Sequence, residues 1–276
     1  MNTLISKLWE KHIAVSKLNV CIRFLLSGLA LFLLQNCALI STKPPAVPFT
    51  PQNITHIVSN FEEQEKQVLS FYSSGRLIFK KDISESESNI LIVGTRDPFK
   101  IKIETTHPWG RPLLHFLVSE TRFQILSFPE KKYYLGNFCQ TKFFPVRLTP
   151  TQVWSLLRGY PILRKYNRAV SFKGNQITFF DTKDKIVQII DFYPQSKLPR
   201  QISFPGQKIR IAFSNYKNEN GIYYASNIRL NDPEVGIVLA LELKQAAFNK
   251  TISKTIFDLK IPRDFKLLSL QEVKEG

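Results

Sequence analysis

The stretch "GRLIFKKDISESESNILIVGTRDPFKIKIET" (Gly75–Thr105) decides the expected fold, because it holds three strand-like runs in succession. The runs "GRLIFKK", "NILIVGTR" and "FKIKIET" are alternating or apolar, while "DISESES" and "DP" between them have the composition of turns. Consecutive strands with such short connections can pair only antiparallel. We therefore predict an antiparallel meander that begins at this stretch.

Similar runs continue on both sides of one helical segment. The first series goes on through "LLHFLVS", "RFQILSF" and "KKYYLGN", and a second series runs from "AVSFKG" to a last predicted strand, "TIFDLKIP" (Thr255–Pro262). Between the two series, "TPTQVWSLLRGYP" predicts a short helix with Thr149 as its N-cap and Pro150 in its first turn. Asn220-Gly221 predicts a type I′ hairpin turn.

A proline-rich spacer and a first helix precede the strands. "STKPPAVPFTP" (Ser41–Pro51) is typical of an extended tether, and Thr50 with Pro51 predicts a helix start. Apolar residues from Ile54 to Tyr72 follow helical spacing, so we expect this helix to end just before Gly75. Residues 52–276 are then one domain of the mainly β (α+β) class, a long antiparallel sheet curled around helices.

The N-terminal segment has the layout of an export signal. Basic residues precede the apolar run "FLLSGLALFLL" (Phe24–Leu34), whose 11 residues are shorter than a membrane-spanning helix requires. We therefore predict residues 1–36 to be a signal peptide, in preference to a permanent transmembrane anchor.

The end of this segment, Leu34-Gln35-Asn36-Cys37, resembles a lipobox, the bacterial signal for lipidation of a cysteine. Asn36 stands where glycine, alanine or serine is usual, and the alternative is ordinary cleavage with Cys37 merely nearby. Lipidation of Cys37 makes residues 37–51 a lipid-anchored tether, and Ala38 resembles the outer-membrane sorting pattern. Cys139 is then the only other thiol, so no disulfide is expected within the exported chain.

No motif for catalysis, metal binding or cofactor binding is found in the sequence. The four histidines are not spaced with cysteines or acids as a zinc site requires, and no nucleophile has recognisable partners. We therefore expect no enzyme activity, no metal and no cofactor. The net charge of +16 favours a polyanionic partner, and the export signal makes anionic lipid a better candidate than nucleic acid. Simple solvation of a β surface is the alternative.

Several short motifs, in this order along the chain, resemble the LolA/LolB lipoprotein-localisation superfamily and its LolB-type outer-membrane receptors. The likeness covers most of the chain from Phe61 to Phe265. The motifs are "FYSSGRLIF" (Phe71–Phe79), "THPWGRPLLHF" (Thr106–Phe116), "LTPTQVWSLLRGYPI" (Leu148–Ile162) and "FDLKIPRDF" (Phe257–Phe265).

The resemblance implies an incomplete, open β-barrel with covering helices, around an apolar cavity that takes the acyl chains of lipoproteins. It implies a monomer on the periplasmic face of the outer membrane that receives cargo from a periplasmic LolA-like carrier. Inward-facing candidates for the cavity lining are Ile90, Ile92, Phe123, Ile125, Phe179 and Ile211.

Pro108, Trp109 and Gly110 match the loop that the superfamily uses to insert cargo into the membrane. On this reading Trp109 touches the membrane, and Leu113, Leu114 and Phe116 in the next strand anchor its loop. Two alternatives stay open: Trp109 folds back into the core, or the protein is a structural or interaction lipoprotein with no transported ligand.

Overall fold

The structure is a computed structural model that describes residues 47–137 and 149–269. The predicted signal peptide, Cys37 and Cys139 lie outside the described residues. The α-helices within these ranges are α1 (Pro51–Lys66) and α2 (Pro150–Leu157). The strands described between them are β1 (Ser70–Lys81), β2 (Ser84–Arg96), β3 (Phe99–Thr106), β4 (Pro112–Ser119), β5 (Arg122–Ser127) and β6 (Lys132–Asn137).

A second series of strands follows α2. Its members are β7 (Arg168–Val170), β8 (Gln176–Phe180), β9 (Ile186–Phe192), β10 (Pro199–Ser203), β11 (Arg210–Glu219), β12 (Ile222–Asp232) and β13 (Ile237–Phe248). A 3-10 helix (Lys254–Phe257) and a short last strand, β14 (Lys266–Ser269), end the described chain.

All the described strands form one sheet that does not close. Its order is β14-β6-β5-β4-β3-β2-β1-β13-β12-β11-β10-β9-β8-β7, so two antiparallel meanders are joined by the pairing of β1 with β13. Only β14 pairs parallel, with β6, and β14 and β7 are the edges. The predicted open antiparallel sheet with covering helices is therefore confirmed.

Both predicted helix starts are confirmed. The Thr50 hydroxyl accepts the Asn53 N–H, and Thr149 forms a reciprocal capping box with Gln152. The hairpin turn is confirmed as well, since Asn220 and Gly221 have φ values of +53° and +86°. Both central residues of a type I′ turn require positive φ.

The predicted end of the first helix is wrong. Helix α1 ends at Lys66 and β1 begins at Ser70, five residues before the expected Gly75. The Asn249 side chain explains the early stop, because its Oδ1 accepts the Leu69 N–H at 2.8 Å and its Nδ2 donates to the Gln67 carbonyl oxygen at 2.8 Å. Backbone groups at the end of a helix have no partner within the helix, and here a residue distant in sequence supplies their hydrogen bonds.

The last predicted strand, Thr255–Pro262, is also wrong. Its first residues belong to the 3-10 helix, where Phe257 is buried with Val93 and Leu117. Those two residues point away from the main core, so this segment covers part of the other side of the sheet. The apolar run is a short pad against the sheet rather than one of its strands.

Candidate functional site

All six predicted cavity residues lie on the same side of the sheet, called the inner face below. In the first meander the register aligns Ile92 with Ile103, Phe116 and Ile125 across neighbouring strands. In the second meander Ile211 is aligned with Ile202, Ile190 and Ile177. Ile90, Phe123 and Phe179 lie two residues from members of these rows, which places them on the same face.

These residues are buried and form part of the hydrophobic core. None of the six is more than 6% exposed. Two cavities beside α1 are lined by other residues. The predicted residues therefore share one face, and in this structure they are packed rather than open.

Helices α1 and α2 cover one end of the inner face, called the helix end. Helix α1 buries Ile54, Ile57 and Phe61 against it. From α2, the Trp154 ring packs edge-on against Phe71 at the start of β1, with ring centroids 4.8 Å apart. Both helices are amphipathic elements whose apolar sides would be unstable in water without this contact.

The opposite end of the sheet carries the turns that join β1 to β2, β3 to β4 and β12 to β13, and is called the Trp109 end. Between it and the helices the inner face is apolar but only partly covered. The half-buried apolar side chains there are Leu77, Phe79, Ile103, Phe116 and Leu239. The inner face is therefore largely apolar from the helices towards this end, with Ser86 and Ser88 of β2 beside Phe79 and Leu77.

Two cavities flank the first half of α1 and share Phe49. One, of about 290 Å³, combines Ile57, Phe61 and Tyr160 with polar groups that include Lys197. The other, of about 530 Å³, is lined mainly by apolar side chains, among them Ile54, Val58 and Tyr166. Small-molecule sites are typically about 300–1,000 Å³. The first half of α1 thus has space on both sides.

The second half of α1 is held by two arginines. Arg96 donates to the Glu65 carbonyl oxygen at 2.7 Å and pairs with the Glu65 carboxylate at 2.5 Å. Arg158 at the end of α2 donates to the Gln64 carbonyl oxygen at 3.0 Å. The Gln64 side chain also bonds the Gly221 carbonyl oxygen and the Tyr223 N–H, each at 2.8 Å. One end of α1 is thereby fixed by polar contacts.

Arg158 is a buried cation with few partners. Arg158 is 1% exposed, and its Nε and Nη2 have no hydrogen-bond partner in the described structure. Burial lowers the pKa of the Arg158 guanidinium to about 10. The guanidinium lies 5.1 Å from the centre of the Tyr160 ring, and burial raises the pKa of Tyr160 to about 12. Sequence reasoning missed this pair, because an arginine beside a helix end normally faces water.

The Trp109 side chain is 87% exposed, in the turn between β3 and β4. The turn is tight: the Gly110 N–H donates to the His107 carbonyl oxygen at 2.7 Å, and Gly110 has a φ of +84°. The His107 ring lies 4.3 Å from the Trp109 ring, centroid to centroid. Trp109 therefore does not fold back into the core, and its predicted anchors Leu113 and Phe116 are half-buried while Leu114 is 42% exposed.

No helix within residues 47–137 and 149–269 is long and apolar enough to cross a membrane. In the same part of the chain, no three His, Cys, Asp or Glu side chains come together as metal ligands.

Comparison with solved structures gives several matches. A DUF1329 family protein from Desulfovibrio piger matches with a TM-score of 0.52 at 10% identity, over 74% of this chain and 97% of its own. A LolA superfamily protein from Nitrosomonas europaea matches with a TM-score of 0.48 at 14% identity, over 74% of this chain and 97% of its own. A putative outer membrane lipoprotein-sorting protein domain from Vibrio parahaemolyticus matches with a TM-score of 0.45 at 10% identity, over 73% of this chain and 95% of its own.

No protein-family model and no curated protein matches the sequence. At 10% identity, the likeness to the Desulfovibrio piger protein is one of fold alone. The open antiparallel sheet with covering helices that the resemblance implied is the fold observed.

Proposed function

We propose that this protein binds the acyl chains of lipoproteins on the inner face of its sheet and passes them into the outer membrane. In this proposal Cys37 carries a lipid anchor on the periplasmic side and a LolA-like carrier delivers the cargo. The tether ends before Phe49 rather than at the predicted Pro51, because Phe49 is buried in the core and Pro51 begins α1. The observation that carries the proposal is the largely apolar inner face, which is buried under the two helices and only half-buried towards the end that carries the exposed Trp109.

The energetics require a sheltered route. Exposing an acyl chain to water costs about 0.8 kcal/mol for each CH₂, or on the order of 10 kcal/mol for a long chain. A cargo lipid must therefore pass from one apolar surface to another. A transfer of this kind needs no other energy source if the receiving site is the better apolar solvent.

Helix α1 is the element that must yield to a bound chain. Its contact with the sheet rests on Ile54, Ile57 and Phe61, and burial of such side chains is worth about 1.5–3 kcal/mol each. An inserted acyl chain can replace that apolar contact. The cavities on both sides of the first half of α1 give the helix room to shift, while the arginine contacts hold its second half.

Trp109 is suited to contact the membrane at the exit. A tryptophan carries roughly 150–250 Å² of surface, so full insertion is worth about 4–6 kcal/mol at 25 cal/mol per Å². Its indole N–H can stay at the level of the lipid headgroups.

The test uses the full chain with Cys37→Ser, so that no lipid of its own competes. We expect native mass spectrometry to detect a complex with a lipidated peptide and none with its unlipidated twin. Trp109→Glu should retain this complex and lose at least tenfold in the rate of peptide transfer to vesicles. The matched control is Phe172→Glu, an aromatic residue 63% exposed at the other end of the sheet. Absence of a complex with either peptide contradicts the proposal.

The second candidate is a structural lipoprotein with no transported ligand. It is favoured by one observation, the burial of all six predicted cavity residues. On that account neither peptide binds, and the inner face serves only as core.

A further inference from the structure

Three of the large apolar side chains exposed at the Trp109 end of the sheet lie in its turns. Ile83, in the turn between β1 and β2, is fully exposed, and Val235, in the turn between β12 and β13, is 42% exposed. With Trp109 they occupy three hairpins whose strands are neighbours in the order β4-β3-β2-β1-β13-β12. None of the three side chains is buried in the core, so packing in the core does not account for an apolar residue at these positions.

The turns that carry Ile83 and Val235 form one paired tip. The Asp82 N–H donates to the Gly236 carbonyl oxygen at 3.4 Å, which joins the two turns directly. Asp82 and Gly236 both have positive φ, at +53° and +64°, so each turn is a defined conformation. The pairing of Lys81 with Ile237 continues the sheet up to this point. The two apolar side chains are therefore presented together.

The paired tip extends beyond the Trp109 turn. The register pairs Asn89 with Thr106 at the end of β3, and β2 continues five residues past that pair to Ser84. At 3.3 Å per residue the offset is about 16 Å along the strands. The paired tip therefore protrudes beyond the Trp109 turn along the strand direction.

Free cations accompany these apolar residues. Lys81, Arg111 and Arg210 are exposed and make no ion pair among the described residues. The acids Glu85 and Glu234 are neutralised by Lys80 and Lys208. Asp82 and the buried Asp232 are the carboxylates of the paired tip without a cationic partner in the described structure. The exposed unpaired groups named here are therefore mostly cations.

We propose that the paired tip, with Ile83 and Val235, docks the body of the protein onto an anionic lipid bilayer beside Trp109. Separate apolar side chains with cations between them match an interface in which apolar groups enter the acyl region and cations meet lipid phosphates. A protein partner is less well matched, because the apolar residues do not form one contiguous patch. The proposal deepens the proposed function and rests on it for the direction of cargo release.

The test is sedimentation of the full chain carrying Cys37→Ser with two kinds of vesicle. One kind contains neutral lipid only, and the other contains about 30% anionic lipid. We expect binding to the anionic vesicles and about tenfold weaker binding for Ile83→Asp and for Val235→Asp. Lys81→Glu should weaken binding to anionic vesicles and leave binding to neutral vesicles unchanged. Leu69→Asp is the control, because Leu69 is 62% exposed at the helix end.

Binding of both tip variants at the wild-type level overturns the docking proposal, as does absence of binding by the unmodified tip. Thermal unfolding of each variant checks that its fold is intact. Complex formation with the lipidated peptide in solution, without vesicles, is measured in parallel on the same proteins. A loss there bears on acyl-chain binding alone, so the two proposals fail by different readouts.

Discussion

At the scale of single residues, Arg158 is placed at a cost to stability. Its guanidinium is buried, donates to Gln64 and leaves two nitrogens without partners in the described structure. Each unsatisfied buried donor costs about 1–3 kcal/mol, whereas one hydrogen bond is worth about 1 kcal/mol. The residue therefore connects α1 to α2 without being the most stable choice for its position.

The variant Arg158→Met should raise the free energy of unfolding by about 1–2 kcal/mol. Methionine fills similar space and leaves no buried charge, and replacing buried ionic groups by apolar ones is often stabilising. Urea unfolding of the variant and the parent measures the difference. A decrease of more than about 1 kcal/mol in the free energy of unfolding would show that the guanidinium stabilises the helix contact more than its burial destabilises the fold.

Tyr160 gives the fold a defined response to alkaline pH. Its pKa in the folded state is raised to about 12 by burial, above the value of about 10 in an unfolded chain. The stabilisation is fully present below pH 10 and is lost as the pH rises towards 12, by up to about 1.4 kcal/mol per pH unit. Tyr160→Phe should remove this loss and leave stability at pH 7 nearly unchanged.

The measurement is urea unfolding of both proteins at pH 8, 10 and 11. Burial lowers the pKa of Arg158 to about 10, so its titration stabilises the folded state as the pH rises, opposite to Tyr160. Arg158 is present in both proteins. Because Tyr160 raises the pKa of the neighbouring Arg158, the difference between the two proteins reports the tyrosine together with its effect on that arginine. Equal alkaline slopes in the two proteins would contradict the assignment to Tyr160.

At this same scale, the sequence indicated a turn around Trp109 but left its direction open. Proline and glycine on either side predict a turn from local preference alone. Whether its side chain points to water or into the core depends on the registers of β3 and β4, which involve partners distant in sequence. Arg158 could not be predicted either, because its burial depends on α1, 94 residues away.

At the scale of elements, Asn249 determines where α1 stops and β1 starts. Its side chain bonds the backbone of Gln67, Leu69 and Ser70, and its own φ is +55°. The apolar spacing from Ile54 to Tyr72 is compatible with a longer helix, and these contacts from the residue after β13 interrupt it. Helix starts were predictable because caps are local, whereas this helix end is imposed by a remote residue.

Asn249→Ala should lower the free energy of unfolding by about 2–3 kcal/mol, since it removes these hydrogen bonds and places alanine at positive φ. Asn249→Gly loses the same hydrogen bonds but tolerates positive φ, so it should be about 1 kcal/mol less destabilising than the alanine variant. Thermal or urea unfolding of the pair separates the two contributions. Equal stabilities for the two variants would show that backbone strain is not involved.

At the scale of the whole molecule, two meanders share one apolar face. The alternating and apolar runs were enough to predict an antiparallel sheet, and "TIFDLKIP" failed because an apolar run also suits a short pad against the sheet. The six residues proposed for the cavity share one face, yet several strands are apolar on both sides. The face became defined only when the register linked Ile92 to Ile125 and Ile211 to Ile177.

On the proposed function, the unclosed sheet lets one structure hold a packed core and accept an acyl chain. The core residues under the helices are buried, whereas residues near the Trp109 end, such as Leu77 and Phe79, are only half-buried. A chain that enters from the exposed end meets apolar side chains at once. The central claim is therefore that acyl chains contact the inner face and not the outer one.

The most direct measurement is photocrosslinking from Leu77 and, separately, from its neighbour Ile78. Both residues are half-buried in β1 and point to opposite faces of the sheet, so they form a matched pair. A photoreactive amino acid at each position is irradiated in the full chain carrying Cys37→Ser, in the presence of the lipidated peptide. The account predicts acyl-chain adducts from position 77 and none from position 78. Equal labelling of the two positions, or none at position 77, would contradict it.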